Sequence, residues 1–311
     1  MAALAVAVTL VQLRAASTPV WIDTDPAVGE PDRDVDDGLA LLQAFRSPEL
    51  EIRGVSVVFG NAELARGLPI ARRLVRDYGP PRLRVFRGAA KAGLTDTPAS
   101  RALASALRGS PLTILALGPM TNVATVLTQH PELAARVTRV IAVAGRRPGQ
   151  RFTTGTTNAQ GHRDFNFELD PDAFQRLLDA KVELVLAPFE ISSKIWLRAP
   201  DLERLPRSLA APAGLWLSLW GRLFGVDGFN PFDTLAVAYA ISDQGFACET
   251  LPARIDTLAD DVTEPGVQGV KVDRKPYLLA SKDLTGAPAR VTYCATAPDG
   301  FKEDLLKRLA R

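Results

Sequence analysis

The chain contains 311 residues, of which 47% are hydrophobic and 23% are charged, and its formal net charge is +2. This composition is ordinary for a globular protein, and the length allows a large buried core. The balance of 37 basic and 35 acidic residues argues against nucleic acid or an acidic membrane surface as the main partner, since such partners need a concentrated basic face.

The chain begins with an apolar stretch, Met1–Leu13, which is followed by Arg14 and small residues. The small residues are typical of a signal cleavage site, whereas no Lys or Arg precedes the apolar stretch, which is too short to span a bilayer. Two interpretations of residues 1–17 stay open: a truncated export signal of a periplasmic protein, and a surface helix of a cytoplasmic one. No other stretch predicts a membrane span. Residues 18–311 are predicted to form a single domain.

Apolar runs alternate with helical patterns along most of the chain. Strands are predicted at Pro19–Asp25, Leu50–Phe59, Arg84–Phe86, Leu112–Leu117, Val137–Ala144, Val182–Pro188, Tyr277–Ala280 and Arg290–Cys294. Helices are predicted at Gly38–Arg46, Ala62–Tyr78, Ser100–Arg108, Asn122–Gln129, Pro171–Asp179 and Phe301–Leu309. This alternation predicts the α/β class, with an open, mostly parallel, Rossmann-like sheet covered by helices on both faces.

The two cysteines, Cys248 and Cys294, lie in the C-terminal part of the chain and form no CxxC motif. One disulfide is possible, but two cysteines do not make a framework. We therefore favour two small hydrophobic residues in or near the core.

The strongest chemical signal is the segment IDTDPAVGEPDRDVDDGLA, at residues 22–40. Asp23 and Asp25 end the first strand, and Asp36 and Asp37 immediately precede a helix. In a parallel sheet, ligands bind beyond the carboxyl ends of the strands. Clustered carboxylates repel one another, and a hard cation such as Ca²⁺ or Mg²⁺ takes oxygen ligands of this kind. Capping of the helix would explain Asp36 and Asp37 but not Asp23 and Asp25.

A hydrophobic strand followed by DxD is also the start of phosphatases of the haloacid dehalogenase type, with the first Asp as nucleophile. Those enzymes carry their second acidic pair far downstream. Here the second pair follows Asp25 after only ten intervening residues, which disfavours a phosphatase.

The segment resembles the opening motif DxDPGxDD of the inosine-uridine preferring nucleoside hydrolases. It departs from that motif by seven extra residues and by Ala27 where a glycine is usual. Further segments match the family in order: VVFGN ending at Asn61, LGPMTNVA at residues 117–124, DFNFELDPDA at residues 164–173, FDTLAVAYA at residues 232–240, and the C-terminal VTYCATAPDGF. The resemblance covers essentially the whole chain after residue 18. It implies a nucleoside hydrolase-like fold and an N-ribohydrolase, which acts on a small nucleoside or related ribosyl compound.

The resemblance also implies a divalent cation, with Ca²⁺ as first choice, that activates a water molecule against the ribosyl C1′ carbon. The implied ligands are the carboxylates of Asp25, Asp37 and Asp233 and the backbone carbonyl of Thr121. Asp25 is in addition the implied base for the attacking water. Taken singly, Thr121 and Asp233 could equally be helix-cap residues.

Five residues match positions of the family that bind ribose. Asp164 stands where the family usually has Glu, which would shorten the reach of that side chain by about one methylene. Members of the family are commonly dimers or tetramers, so a homo-oligomer is an expectation by analogy only. The implied ribose-binding residues are Asp36, Asn61, Asn158, Asp164 and Asn166.

The residues that would contact the leaving base differ most from the family pattern. Many members have His immediately before the Asp that matches Asp233, and that His protonates the departing base, but this chain has Phe232. His162 near Asp164 is one substitute, and an exposed loop histidine is the simpler interpretation of it. Phe232 is preceded by Trp216, Trp220, Phe224 and Phe229, which could form an aromatic wall with it. They could equally be core residues of a helix, since positions 216, 220 and 224 recur every four residues. Phe232 also favours an alternative function, a ribose-binding or nucleoside-binding homologue that has lost turnover.

Overall fold

The computed structural model describes residues 17–155, 160–262 and 271–311. Its strands are β1 Thr18–Thr24, β2 Leu50–Val57, β3 Val85–Arg87, β4 Leu112–Ala116, β5 Val137–Ala142, β6 Thr153–Thr154, β7 Gln160–Gly161, β8 Leu184–Leu186, β9 Leu197–Arg198, β10 Gly228–Phe229, β11 Ala247–Ala259, β12 Arg274–Ala280 and β13 Ala289–Thr296. Its α-helices are α1 Asp36–Phe45, α2 Leu64–Tyr78, α3 Pro98–Gly109, α4 Thr121–Gln129, α5 Phe165–Leu169, α6 Pro171–Ala180, α7 Phe189–Ser192, α8 Ala199–Leu202, α9 Arg207–Phe224, α10 Phe232–Ile241 and α11 Phe301–Leu309. A 3₁₀ helix spans Pro131–Arg136.

Within the described residues, nine strands form the main sheet in the order β12-β11-β13-β8-β5-β4-β1-β2-β3. The strands from β13 to β3 pair in parallel, whereas β11 pairs antiparallel with both β12 and β13. The predicted open, mostly parallel α/β sheet is therefore confirmed, with an antiparallel edge.

The sheet is buried on both faces because helices cover each of them. All five residues of β4 are buried, and neighbours along it face opposite sides: Ile114 packs into one hydrophobic cluster and Leu115 into the other. Helices α1, α10 and α11 contribute to the cluster that contains Leu115, and α3, α4 and α6 to the cluster that contains Ile114. Strands that are covered on both faces have continuous apolar sequences, and this is why β4, with the sequence LTILA, could be predicted.

Strand β11 was not predicted. The two cysteines lie in or against the core as expected, but the expectation that they are not bonded to each other was wrong. β11 contains Pro252, a residue that normally argues against a strand interior. In the antiparallel register of β11 and β13, Cys248 lies directly opposite Cys294, and the two form a disulfide. Without β11 in the prediction, nothing in the sequence placed the two residues side by side.

Two regions addressed by the sequence analysis lie outside the described residues. Residues 1–16 include the apolar stretch with its two open interpretations, and residues 156–159 include Asn158. In the part of the chain that is described, no helix is long and apolar enough to cross a bilayer.

Candidate active site

A cavity of about 320 Å³ opens at the carboxyl ends of the parallel strands. Residues that follow β2, β4, β5 and β8 line it, as expected for a ligand site in an open α/β sheet. Its volume is at the lower end of the range for small-molecule sites, about 300–1,000 Å³. The lining residues are Asp32, Arg33, Asp34, Asp36, Asn61, Leu117, Val143, Ala144, Phe152, His162, Arg163, Asp164, Phe165, Asn166, Phe189, Trp216, Trp220, Leu223, Phe224, Phe232 and Asp233.

One side of the site, here called the acidic wall, consists of Asp25, Asp34, Asp36, Asp37 and Asp233. Asp25 and Asp37 are fully buried. The Asp37 side chain forms hydrogen bonds with residues at the end of β1 and with a residue that follows β2. The Asp37 carboxylate accepts hydrogen bonds from the Asp25 backbone N–H (3.1 Å), from the Asn61 side-chain amide (3.1 Å) and from the Thr24 hydroxyl. These bonds hold Asp37 beneath the carboxyl ends of β1 and β2.

Asp25 is enclosed by two glycines. A Cβ atom on Gly60 would lie 1.8 Å from Asp25 Oδ2, and a Cβ atom on Gly118 would lie 2.9 Å from Asp25 Cγ. Asp25 Oδ2 accepts the Asn61 backbone N–H at 2.8 Å. Only residues without a side chain leave room for this carboxylate.

The carboxylate oxygens of Asp36, Asp37 and Asp233 approach within 4.8 Å of one another. Burial, followed by the neighbouring Asp36, Asp37 and Asp25 carboxylates, raises the pKa of Asp233 well above its ordinary value. Burial and the Asp37 carboxylate likewise raise the pKa of Asp25. Asp25 Oδ1 and Asp233 Oδ2 are buried and accept no hydrogen bond from the protein.

These features fit a divalent cation. Buried carboxylate oxygens without a partner are costly, and a hard cation with oxygen ligands removes both the desolvation and the repulsion. Of the three carboxylates that the sequence analysis named as ligands, the group within 4.8 Å contains Asp37 and Asp233, together with Asp36 instead of Asp25. Thr121 is fully buried at the first position of α4, where its carbonyl accepts the Thr125 hydroxyl at 2.8 Å.

The described ribose-binding candidates lie together around the cavity. Asn61 follows β2, and its side chain binds Asp37. Asp164 accepts the Gly145 N–H at 2.8 Å, and Asn166 donates to the Leu117 carbonyl at 2.8 Å. Burial, partly offset by the Arg146 guanidinium, raises the pKa of Asp164 to about 6.

The other side of the site, here called the aromatic wall, consists of Phe152, His162, Phe189, Trp216, Trp220, Phe224 and Phe232. Phe189 stacks on Phe152, with ring centroids 4.7 Å apart, and on Phe232 at 6.0 Å. Trp220 contacts Phe224 at 5.3 Å and Phe232 at 6.3 Å. Phe229 is not part of this wall, because it is fully buried in β10 and packs in the core.

Several lining residues were not predicted. Asp34 lies in the seven extra residues of the first motif, and its carboxylate accepts the N–H groups of Val35 (2.6 Å) and Asp36 (3.1 Å). Phe189 begins the short helix that follows β8, so the rule for strand ends could have found it. Phe152 lies in a loop, and no sequence pattern pointed to it.

The family model for inosine-uridine preferring nucleoside hydrolases matches residues 20–296. A non-specific ribonucleoside hydrolase of Klebsiella pneumoniae is 27% identical over 216 residues, which cover 60% of this chain and 66% of the relative. A pyrimidine-specific ribonucleoside hydrolase of Salmonella agona is 30% identical over 224 residues, which cover 62% of this chain and 67% of the relative. The match thus spans about two thirds of the length of these bacterial relatives.

Solved structures show the same fold. A plant nucleoside hydrolase superposes with a TM-score of 0.75 at 20% identity, over 94% of this chain and 99% of that one. A purine-preferring ribonucleoside hydrolase from Gardnerella vaginalis gives a TM-score of 0.73 at 19% identity, over 94% and 98% of the two chains.

The fold, with its carboxylate-lined cavity at the strand ends, is the α/β fold of the solved nucleoside hydrolases. The chain belongs to the inosine-uridine preferring nucleoside hydrolase family, as the match over residues 20–296 shows. The predicted family and enzyme class, a hydrolase of ribonucleosides, are thereby confirmed.

Proposed function

We propose that this protein cleaves the N-glycosidic bond of a ribonucleoside with water and depends on a divalent cation, Ca²⁺ being the first choice. The observation that carries the proposal is that two buried carboxylate oxygens, Asp25 Oδ1 and Asp233 Oδ2, have no hydrogen-bond partner in the protein. Such oxygens suit a hard cation. A bound cation would lower the pKa of a coordinated water and so supply a nucleophile near neutral pH.

The proposed ligands are the carboxylates of Asp25, Asp37 and Asp233 and the Thr121 carbonyl, with Asp36 as a further candidate. Asp25 would accept the proton of the attacking water, because one of its oxygens is unpaired and two glycines hold its side chain in place. Glycosidic cleavage builds positive charge on the ribose ring. The acidic wall would stabilise that charge electrostatically.

Ribose would be held by side chains that present carboxylate and amide groups to its hydroxyls. Buried polar groups that bind a hydroxyl reject a sugar that lacks it. We assign this role to Asp36, Asn61, Asn158, Asp164 and Asn166. The base would then face the aromatic wall, in particular Phe232, Trp220 and His162.

A first test measures cation binding without activity. Ca²⁺ should raise the thermal unfolding temperature of the wild-type protein, because a ligand that binds only the folded state stabilises it. Asp233→Asn should lose this response, whereas the matched control Asp243→Asn, at an exposed site beside Arg139, should keep it. Equal responses in both variants would contradict the proposed cation site.

A second test measures ribose release as reducing sugar from a panel of purine and pyrimidine nucleosides. Release should require the cation and stop with a chelator. The alternative of a nucleoside-binding homologue is favoured by Phe232, because phenylalanine cannot donate a proton to the base. Saturable nucleoside binding without release from any member of the panel would select that alternative.

A further inference from the structure

His162 lies in the aromatic wall and is surrounded by rings. Its ring centroid lies 4.8 Å from that of Phe224, 5.5 Å from that of Phe189 and 6.1 Å from that of Trp220. The His162 backbone N–H donates to the Phe152 carbonyl at 2.6 Å, which fixes the start of the side chain. The imidazole is therefore held on the cavity surface by packing on several sides.

The His162 Nε2 atom is buried and has no hydrogen-bond partner in the protein. Trp216 Nε1, on the same wall, is also buried and unpaired. Leaving a buried polar group unpaired is costly, so such groups are rare unless a ligand or water satisfies them. Two of them on one aromatic wall indicate a ligand that is flat and apolar on its faces and polar on its edge.

A nucleobase has this chemistry, since its faces stack on aromatic rings and its edge carries ring nitrogens and carbonyl oxygens that accept hydrogen bonds. We propose that His162 is a catalytic leaving-group contact, whose Nε2–H donates a hydrogen bond to the base as the glycosidic bond breaks. This inference rests on the proposed function, and it assigns to His162 the contact that Phe232 cannot make.

The surroundings of His162 decide what kind of contact it makes. Burial lowers the pKa of His162 to about 4, so its imidazole is uncharged near neutral pH. An uncharged imidazole donates a hydrogen bond more readily than it gives up a proton. The C1′–N bond would break with its electron pair staying on the base, while a C1′–O bond forms to water. The proton that Asp25 takes from the attacking water would return to the base through solvent.

The experiment compares nucleosides with p-nitrophenyl riboside, whose leaving group departs as a stable anion without a hydrogen bond. His162→Phe keeps an aromatic ring and removes the nitrogen, and it should lower kcat/KM for inosine and uridine roughly 10- to 100-fold. The same variant should leave the hydrolysis of p-nitrophenyl riboside nearly unchanged. His162→Gln retains an N–H donor and should recover part of the nucleoside activity. His130→Phe, at the other histidine of the chain, is the matched control and should behave as wild type.

Two results would overturn the proposal. Equal losses on nucleosides and on p-nitrophenyl riboside would mean that His162 only supports the fold of the site, and no loss on nucleosides would mean that it does not contact the base. Failure of the proposed function looks different, because the wild-type protein would then release ribose from neither kind of substrate.

Discussion

The acidic wall and the aromatic wall carry opposite kinds of unsatisfied polar atoms. The acidic wall presents unpaired carboxylate oxygens of Asp25 and Asp233, whereas the aromatic wall presents unpaired ring nitrogens of His162 and Trp216. When a glycosidic bond breaks, positive charge develops on the sugar and negative charge on the base. The difference between the walls thus matches the charge separation of the reaction: acceptors lie where positive charge forms, and donors lie where negative charge forms.

The largest expected effect lies in the acidic wall. Asp37→Asn should lower kcat for nucleosides by roughly 10³-fold or more, because the substitution removes a charge from the proposed cation site. The p-nitrophenyl riboside should lose activity to a similar extent, since its ribose needs the same stabilisation. Steady-state kinetics with both substrates would check this, with Asp243→Asn as the control. A loss confined to nucleosides would contradict the assignment of the acidic wall to the ribose and of the aromatic wall to the base.

An intermediate effect is expected at Asp164, which lines the cavity and lies two residues from His162 in the sequence. The pKa of Asp164 is raised from 3.8 in the unfolded chain to about 6 in the folded protein. The folded state therefore keeps the Asp164 proton to higher pH, and the contribution of Asp164 to stability is lost as the pH rises from about 4 to about 6. Asp164→Asn lacks this loss.

Relative to Asp164→Asn, the free energy of unfolding of the wild type should fall by about 2–3 kcal/mol between pH 4 and pH 7. Urea denaturation at the two pH values measures this difference, and the exposed Asp243→Asn change serves as the control. A difference between wild type and Asp164→Asn that does not change with pH would show that the Asp164 carboxyl group is not destabilised by burial.

The smallest expected effect is a gain at position 232. Phe232→His would place a proton donor beside Asp233, and we expect nucleoside kcat to rise about 10-fold, which is below the usual range of general acid catalysis. The gain stays small because the surrounding rings would keep the new imidazole mostly uncharged, as they do His162. Activity on p-nitrophenyl riboside should not rise. A rise on both substrates would mean that residue 232 acts on the ribose side instead.

Much of the acidic wall could be predicted because its residues follow local rules. Asp25 comes directly after the buried strand β1, and Asp36 and Asp37 lie at the start of α1, so the order of the elements alone brings them to one edge of the sheet. The long apolar runs, such as β4, and the closing helix α11 were predictable for the same reason: their periodicity is set by burial.

The aromatic wall could be predicted only in part, because it depends on tertiary packing. The four-residue spacing of Trp216, Trp220 and Phe224 predicts a helix, but not which ring faces a cavity. The structure buries Trp220 and leaves Trp216 partly exposed on the lining. Asp34 was missed because it lies in an insertion within the first motif. Strand β11 was missed because it contains Pro252, and a proline normally argues against a strand interior.

The pair of glycines around Asp25 has a consequence for how rigid the site is. Since the Asp25 carboxylate fills the space that a side chain at Gly60 or Gly118 would occupy, Asp25 gives up its rotational freedom when the chain folds, not when substrate arrives. A pre-organised carboxylate adds little reorganisation energy to the reaction. The loss of side-chain entropy at Asp25 thus occurs during folding and not during the reaction. It depends on Gly60 and Gly118, which contribute no functional group to the site.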